Sequence, residues 1–470
     1  MIKLIKNELT KIFHKKSIYI MLGIMVFFTV FGIVFSLAFT DETINALDEY
    51  SSNLIISSYE EQLKAYDLTK EDDKDMYIFM KSELLSTKDR LKFKELYKKD
   101  YVDKFAVDYI NCEVENEVNG KEEEAEECRK KHLAIIKEIE DHDWKYFTNK
   151  ELKEVEEFLN NANNSVSNDM LESYETRKKG LEYQLKYNLS PADDRISIID
   201  NYKSSRNSLS YYEGKEKVLN EEEKDFYKSV KSNYKIYEYK LDNNILYTDG
   251  GTLGTLDNTF KSAGFFVIIT IALIAGSVVS DEFNKGTIKQ LLIRPHIRSK
   301  ILFSKLIAVL IVFFIVLLFH YLLNAISSII TGDINELFMP IIRYNFDTDT
   351  IYKQNILLSL LFGTLKILPC YLIIMTFSFL ASTVTKTDAL GILAGIGLFF
   401  GGNIFNAIIT VRKLWINNFI PTLCWDLNSY LLYSNALGNI ILPLIIDIIT
   451  VVVILAIAFT AFRRTDIKNQ

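Results

Sequence analysis

Along the chain, apolar positions gather into six long runs separated by polar segments of very unequal length. Ser17–Phe39, Ser262–Ser280 and Ala389–Val411 contain no charged residue. Ile301–Ile330 carries only Lys305, Asn355–Ser382 only Lys366, and Ala436–Phe462 only Asp447. About 20 apolar residues in a helix cross the hydrocarbon of a bilayer, so the pattern predicts six transmembrane helices. The first run is too long and unbroken for a secretory leader, and no small-residue cleavage site follows it.

The polar block 41–261 has a different rhythm. KDRLKFKELYKKDYVDKFAVDYI and TNKELKEVEEFLNNA repeat apolar residues at three- and four-residue spacing, the period of an amphipathic helix. A lone proline, Pro191, and few glycines argue against a sheet with many tight turns. Breaks are expected at Asn119-Gly120, at NNANNSVSND, before Ser190-Pro191 as N-cap and first helical residue, and at Asp249-Gly250-Gly251. There DGGTLGTLDN reads as a flexible joint into the second span. The fold class expected is an all-α polytopic membrane protein with a mainly helical domain between spans one and two.

Charge sharpens the division. Residues 41–261 hold 50 Asp and Glu against 34 Lys and Arg, a net of −16, whereas the remainder holds 11 against 20, a net of +9. An acidic insert is spliced into a basic, apolar frame. Nineteen of the 26 tyrosines fall in this insert. They either pack small helical cores or, with the acidic surface, hold a cationic amphipathic ligand.

Short basic flanks orient the frame: Lys3, Lys6, Lys11, Lys15 and Lys16 in the leader, Lys285 to Lys300 after the second span, Lys386 after the fourth, and Arg463, Arg464 and Lys468 at the end. The positive-inside rule places these four flanks in the cytoplasm of a cell membrane. The expected spans are 17–39, 262–280, 301–330, 355–382, 389–411 and 436–462, with 1–16 an amphipathic helix on the inner surface. Segments 281–300, 383–388 and 463–470 are then cytoplasmic, and 40–261, 331–354 and 412–435 extracellular. Arg412 and Lys413 run against the rule, one pair against four agreeing flanks. In the last outer segment Trp415, Trp425 and Tyr430 read as interfacial aromatics and Pro421 as a break.

Candidate chemistry adds little that is catalytic. The chain has no GxxxxGK[ST] phosphate loop, no His/Glu metal motif and no serine–histidine arrangement, so no catalytic or metal site is expected. His132 and His142 lack companion ligands and are expected at the surface. Cys112 and Cys128 flank Asn119-Gly120 almost symmetrically and form either a disulfide facing an oxidising exterior or two unpaired thiols. Cys370 and Cys424 read as structural. Lys366 and Asp447 sit at similar depth when counted from outside and are expected to form an intramembrane ion pair. His320 and Asn324, one turn apart, face either substrate or a neighbouring helix. Gly391, Gly395, Gly397 and Gly401 supply small residues four apart, a spacing that lets helices approach closely.

The polar stretch SDEFNKGTIKQLLIRPHIRSK at 280–300 carries the most specific pattern. Glu282-x3-Gly286-Thr287-x3-Leu291-Leu292-x2-Pro295-x2-Arg298, with Lys305 opening the next span, resembles the loop between spans two and three of ABC-2 type transporter permeases. The leader, whose Ile2, Ile5, Leu9, Ile12 and Phe13 make one helical face, is similar to the interfacial connecting helix of that family. The resemblance covers the leader and all six spans but not the insert, which is long for the family.

The resemblance implies the permease subunit of an ATP-driven exporter, without an ATPase site of its own. Loop 281–300 is then a coupling helix docked on a separate cytoplasmic ATPase. Glu282, Gly286, Thr287, Leu291, Pro295 and Arg298 mark the contact, with Lys386 a smaller second one. The family pattern further implies two copies of the ATPase, which bind ATP and magnesium, while this chain holds no cofactor. It also implies a second permease, identical or homologous, meeting this one along spans one and five, so the four glycines line the seam and route. Segment 412–435 is expected to form short re-entrant helices. Membrane lipid is an expected partner and nucleic acid is not. The acidic exterior favours an amphipathic or antimicrobial peptide as cargo; other hydrophobic compounds, lipid-linked material, drugs and sodium ions stay open. The rival reading is a membrane-anchored receptor that binds ligand through 41–261 and transports nothing. Richness in Lys, Ile and Asn points to a bacterial source.

Overall fold

The computed structural model describes residues 1–38, 41–162, 166–213, 219–287, 297–346, 348–410, 419–427 and 441–464. Six helices among them are long and apolar enough to cross a membrane: Lys16–Ala38, Thr252–Ser277, Arg298–Thr331, Ile356–Thr385, Asp388–Ile409 and Ile441–Arg464. They pack around one core in which Ile271, Ile274, Leu302, Val309, Phe313, Ile374 and Phe379 are buried. The leader helix Ile2–Phe13 lies against it, with Ile12 at its inner face.

The second span begins earlier than its apolar run. Helix Thr252–Lys261 precedes helix Phe265–Ser277, so the segment expected to be a flexible joint is ordered. Its glycines answer to contact, not to mobility: a Cβ on Gly254 would lie 2.6 Å from the Cα of Asp249. Leu253, Leu256 and Phe260 are buried on the same helix.

Between spans three and four the chain forms an antiparallel hairpin, β1 (Ile341–Asn345) and β2 (Thr350–Gln354), with Ile341 opposite Gln354. Ile341 and Ile342 pack on Ile245, Tyr247 and Leu253, fastening the hairpin to the end of the insert. Asn355 caps span four by accepting a 2.8 Å hydrogen bond from the Leu358 amide. Pro369 lies inside this helix and supplies no amide hydrogen, and the amide of Cys370 donates across the bundle to the Trp425 carbonyl at 3.1 Å. Trp425 follows the short helix Pro421–Cys424, so that segment is tied into span four. The remaining aromatics named for it, Trp415 and Tyr430, lie outside the described residues.

The insert is helical, as its periodicity predicts, and its described residues form two small cores. One gathers Phe93, Val102, Ile110, Ile136, Ile139 and Phe147. The other gathers Leu189, Ile198, Tyr202, Val230, Tyr234 and Leu241. Tyrosines thus serve as core residues here, whereas Tyr50 and Tyr211 are exposed. Two local expectations need correction. The pattern through KDRLKFKELYKK is broken after Arg90, where Phe93 turns into the core before helix Leu96–Tyr101 starts. Pro191 lies in a turn, and the next helix begins at Ile196.

Helices Val107–Val118 and Glu122–Asp141 meet at Gly120, whose φ of +74° is a left-handed turn conformation suited to glycine. Cys112 and Cys128 are joined across this pair, their Cα atoms 5.9 Å apart.

His132 is not at the surface. Its ring is buried between Asp89 at 2.6 Å and Glu113 at 3.1 Å, and these carboxylates also bond Lys92 and Arg129. Burial disfavours the charged ring, but the hydrogen bonds to both carboxylates outweigh it and raise its pKa above the ordinary 6.5. A raised folded-state pKa stabilises fully below the unfolded value and is lost as pH rises through the folded value. Amide exchange around residues 85–90 and 128–136 of the full chain, corrected for intrinsic rates, should therefore speed up above neutrality. His132→Gln should remove that dependence; an unchanged profile would refute the linkage.

Candidate functional site

At the leader's end of the bundle, charges meet that the sequence keeps far apart. The leader is basic apart from Glu8, and the third span is uncharged beyond its first turns apart from Lys305. Each is buried and needs a partner. Lys305, 1% exposed, places its Nζ 2.6 Å from Glu8 and 3.1 Å from Glu282, and donates to the Val278 carbonyl at 3.1 Å. Lys11 reaches the same two carboxylates, 3.0 Å from Glu8 and 2.6 Å from Glu282. Two acids and two bases thus form a closed, neutral square of charge-assisted hydrogen bonds. The Thr287 hydroxyl donates to the second oxygen of Glu282.

Burial alone would raise the Glu282 carboxyl. Lys305, Lys11 and Thr287 outweigh it and hold its pKa down at about 2. Beside the square, Lys15 pairs with Asp281 at 2.5 Å and donates to the Ser277 hydroxyl at 2.7 Å. The leader, the end of span two and the start of span three are therefore fastened together. They enclose a cleft of about 490 Å³ lined by Asn7, Lys11, Asp281, Glu282, Lys285 and Thr287 among others.

The turn after span four joins the same assembly. Ser280 bonds Ser382 at 3.1 Å through its amide and Asp388 through its hydroxyl. Lys386, in the left-handed conformation at φ 58°, holds its ammonium 5.2 Å from the centre of the Phe283 ring. Gly286 also has positive φ, +66°, and nothing within 4 Å of where a Cβ would sit. Its φ, rather than crowding, is what calls for glycine. Arg298 donates to the Arg463 carbonyl at 3.1 Å, linking the loop to the end of span six. Leu291 and Pro295 lie outside the described residues.

A family model described as ABC-2 family transporter protein matches residues 2–467, the leader, insert and all six spans together. The chain belongs to the ABC-2 transporter family. It is similar to two proteins of Bacillus subtilis (strain 168). One is the uncharacterized protein YhcI, 26% identical over 285 residues covering 58% of this chain and 90% of the relative. The other is the uncharacterized membrane protein YdbK, 26% identical over 233 residues covering 47% of this chain and 85% of the relative. No solved structure matches.

In this ABC-2 protein the glycines of span five divide by face. A methyl on Gly276 of span two would lie 2.5 Å from the carbonyl carbon of Gly391, and one on Gly395 would lie 3.0 Å from Ala272 and clash with Ser378. Gly391 and Gly395 therefore seat span five inside its own bundle and are not free for a seam. Gly397 and Gly401 have nothing within 4 Å and share an open stripe with Leu393, Ile404 and Ile408.

The expected pairing of Lys366 with Asp447 is not formed. Asp447 is buried with neither carboxylate oxygen hydrogen-bonded among the described residues, and Cys370 and Cys424 lie within its electrostatic reach. Lys366, one turn before Cys370, lines a pocket with Lys261 and Arg343. Side chains on a helix lean toward its N-terminus, here the hairpin end, and a lysine extends that lean along its stem. His320 and Asn324 bond within one helix, Asn324 donating to the His320 carbonyl at 2.8 Å. Among the described residues no cluster of three His, Cys, Asp or Glu could hold a metal.

Proposed function

We propose that this chain is the permease subunit of an ATP-driven exporter, working with a separate cytoplasmic ATPase and a second permease. The observation that carries this reading is the Glu8–Lys11–Glu282–Lys305 square. It makes the leader, the loop after span two and span three one mechanical unit, with the turn at 383–388 bonded alongside. A push on the loop is transmitted to the spans instead of being absorbed by a flexible connection. Lys285 and Lys386 flank the proposed contact and give it a positive charge. Gly397 and Gly401 offer the open face for the partner permease.

The insert lies outside the cell in this reading, where Cys112 and Cys128 stay oxidised. Its net charge of −16 supports a cationic amphipathic or antimicrobial peptide as cargo by long-range attraction. Membrane lipid surrounds the spans, and ATP with magnesium acts on the partner chain.

The test is affinity purification of the full chain from its native membrane, reading the retained ATPase chain and ATP hydrolysis. Gly286→Pro cannot adopt φ +66° and removes the amide that donates to Phe283, and Lys386→Glu inverts a charge outside the square. Both are expected to lose the ATPase or uncouple its hydrolysis. An undiminished complex in both would sink the docking assignment, and the absence of any ATPase would favour the receptor reading.

A further inference from the structure

The bundle carries a second charged site at its opposite end, between the hairpin and span four. A pocket of about 440 Å³ is lined by Lys261, Arg343, Lys353 and Lys366, with Tyr352 and Phe362 at its apolar side, and no carboxylate among the described residues contributes to its wall. Gathering four cations costs free energy through mutual repulsion unless something negative offsets it. Behind the wall, Asp257 offsets part of it, bonding Lys261 at 2.6 Å and Arg343 at 2.5 Å. Arg343 also donates to Ser359 at 3.1 Å and to Gln354 at 3.3 Å, so its guanidinium is fixed in place. Lys366 and Lys353 make no ion pair among the described residues. Asp426 also acts on Lys366 electrostatically, more weakly than Asp257.

The depth of the pocket identifies the kind of ligand. Span four has 30 helical residues, about 45 Å of helix against roughly 30 Å of hydrocarbon. About ten residues thus project beyond the hydrocarbon. Gly363 packs directly on the end of helix Thr252–Lys261, where a Cβ would lie 2.7 Å from the Phe260 carbonyl oxygen. Lys366 therefore lies close to the level where the second span passes from polar Lys261 to its uncharged run at Ser262. That is the level of lipid headgroups.

We propose that this pocket binds the phosphate group of an anionic amphiphile, with Arg343 and the three lysines holding the phosphate oxygens. A fixed guanidinium, with the ammonium groups of Lys353 and Lys366 that make no ion pair among the described residues, suits recognition of phosphate. This goes beyond the exporter reading and does not depend on it.

The experiment uses the full-length chain in maltoside micelles, titrated with dioctanoyl phosphatidylglycerol, dioctanoyl phosphatidylcholine or inorganic phosphate, and read by native mass spectrometry and melting temperature. Phosphatidylglycerol should bind at least tenfold more tightly than phosphatidylcholine. Lys353→Gln with Lys366→Gln should weaken it at least tenfold without lowering the lipid-free melting temperature. Inorganic phosphate that only competes weakly assigns the site to a lipid; phosphate binding as tight as the lipid assigns it to a free anion, with the same cations responsible. Equal affinity for both lipids, or unchanged phosphatidylglycerol affinity in the double variant, overturns the proposal. Lys353→Gln alone, at an exposed position, repeats the test if the double variant fails to fold.

Discussion

Glu282→Ala is expected to release the leader helix from the bundle. The substitution removes one of two carboxylates that neutralise Lys11 and Lys305, and Lys305 is 1% exposed. Breaking one partner out of a buried pair typically costs about 3–5 kcal/mol, because the remaining charge stays buried and uncompensated. A melting temperature in detergent should fall by several degrees, and amides of residues 2–13 should exchange faster. Glu282→Ala with Lys305→Met removes one charge of each sign, leaving Glu8 with Lys11, and should recover part of the loss. A loss below about 1 kcal/mol, or no recovery in the double variant, would show that the square does not hold the leader. Acid should act in the same way. Glu282 titrates at about 2 in the folded chain against an ordinary 4.5. Its contribution is therefore complete above the ordinary value and disappears as pH falls toward 2.

Gly391→Leu is expected to be the most damaging single change in span five, and Gly397→Leu nearly neutral for the chain alone. The first puts a side chain against the backbone of Gly276, which cannot rotate away, whereas the second adds one where nothing lies within 4 Å. Overpacking of this kind costs about 1–3 kcal/mol or more where backbone must move. Melting temperature and yield of the two variants in the same detergent decide it. Equal losses would refute the division of the four glycines by face. If Gly397 and Gly401 meet a second permease, Gly397→Leu should instead lower the dimer fraction in cross-linking at unchanged melting temperature.

The spans and the helical insert were legible because both depend on local composition. An uncharged run has one stable form in a bilayer, where every backbone group must bond within its own helix. Apolar residues at three- and four-residue spacing likewise make one face to bury. The opening loop was legible as a pattern; the structure adds that Thr287 bonds Glu282 and that Gly286 has positive φ. Glu8 and Lys11 were missed, although one acid in a basic leader and one lysine near the start of an apolar span were signals that each required a partner. Lys366 and Asp447 show the converse. Counting residues gives depth along a span but not the direction in which a side chain leans, and Lys366 leans toward Arg343.

The sequence alone thus determined that this protein spans a membrane six times, carries an acidic helical insert and presents a basic loop, since each follows from free energies additive over neighbouring residues. Only the tertiary structure decided which charges pair and which glycines are crowded. Glu8 and Lys305 are 297 positions apart, and Gly276 and Gly391 come from different spans. Contacts of that range depend on where whole helices come to rest. Their strength depends on the burial that only the assembled bundle creates.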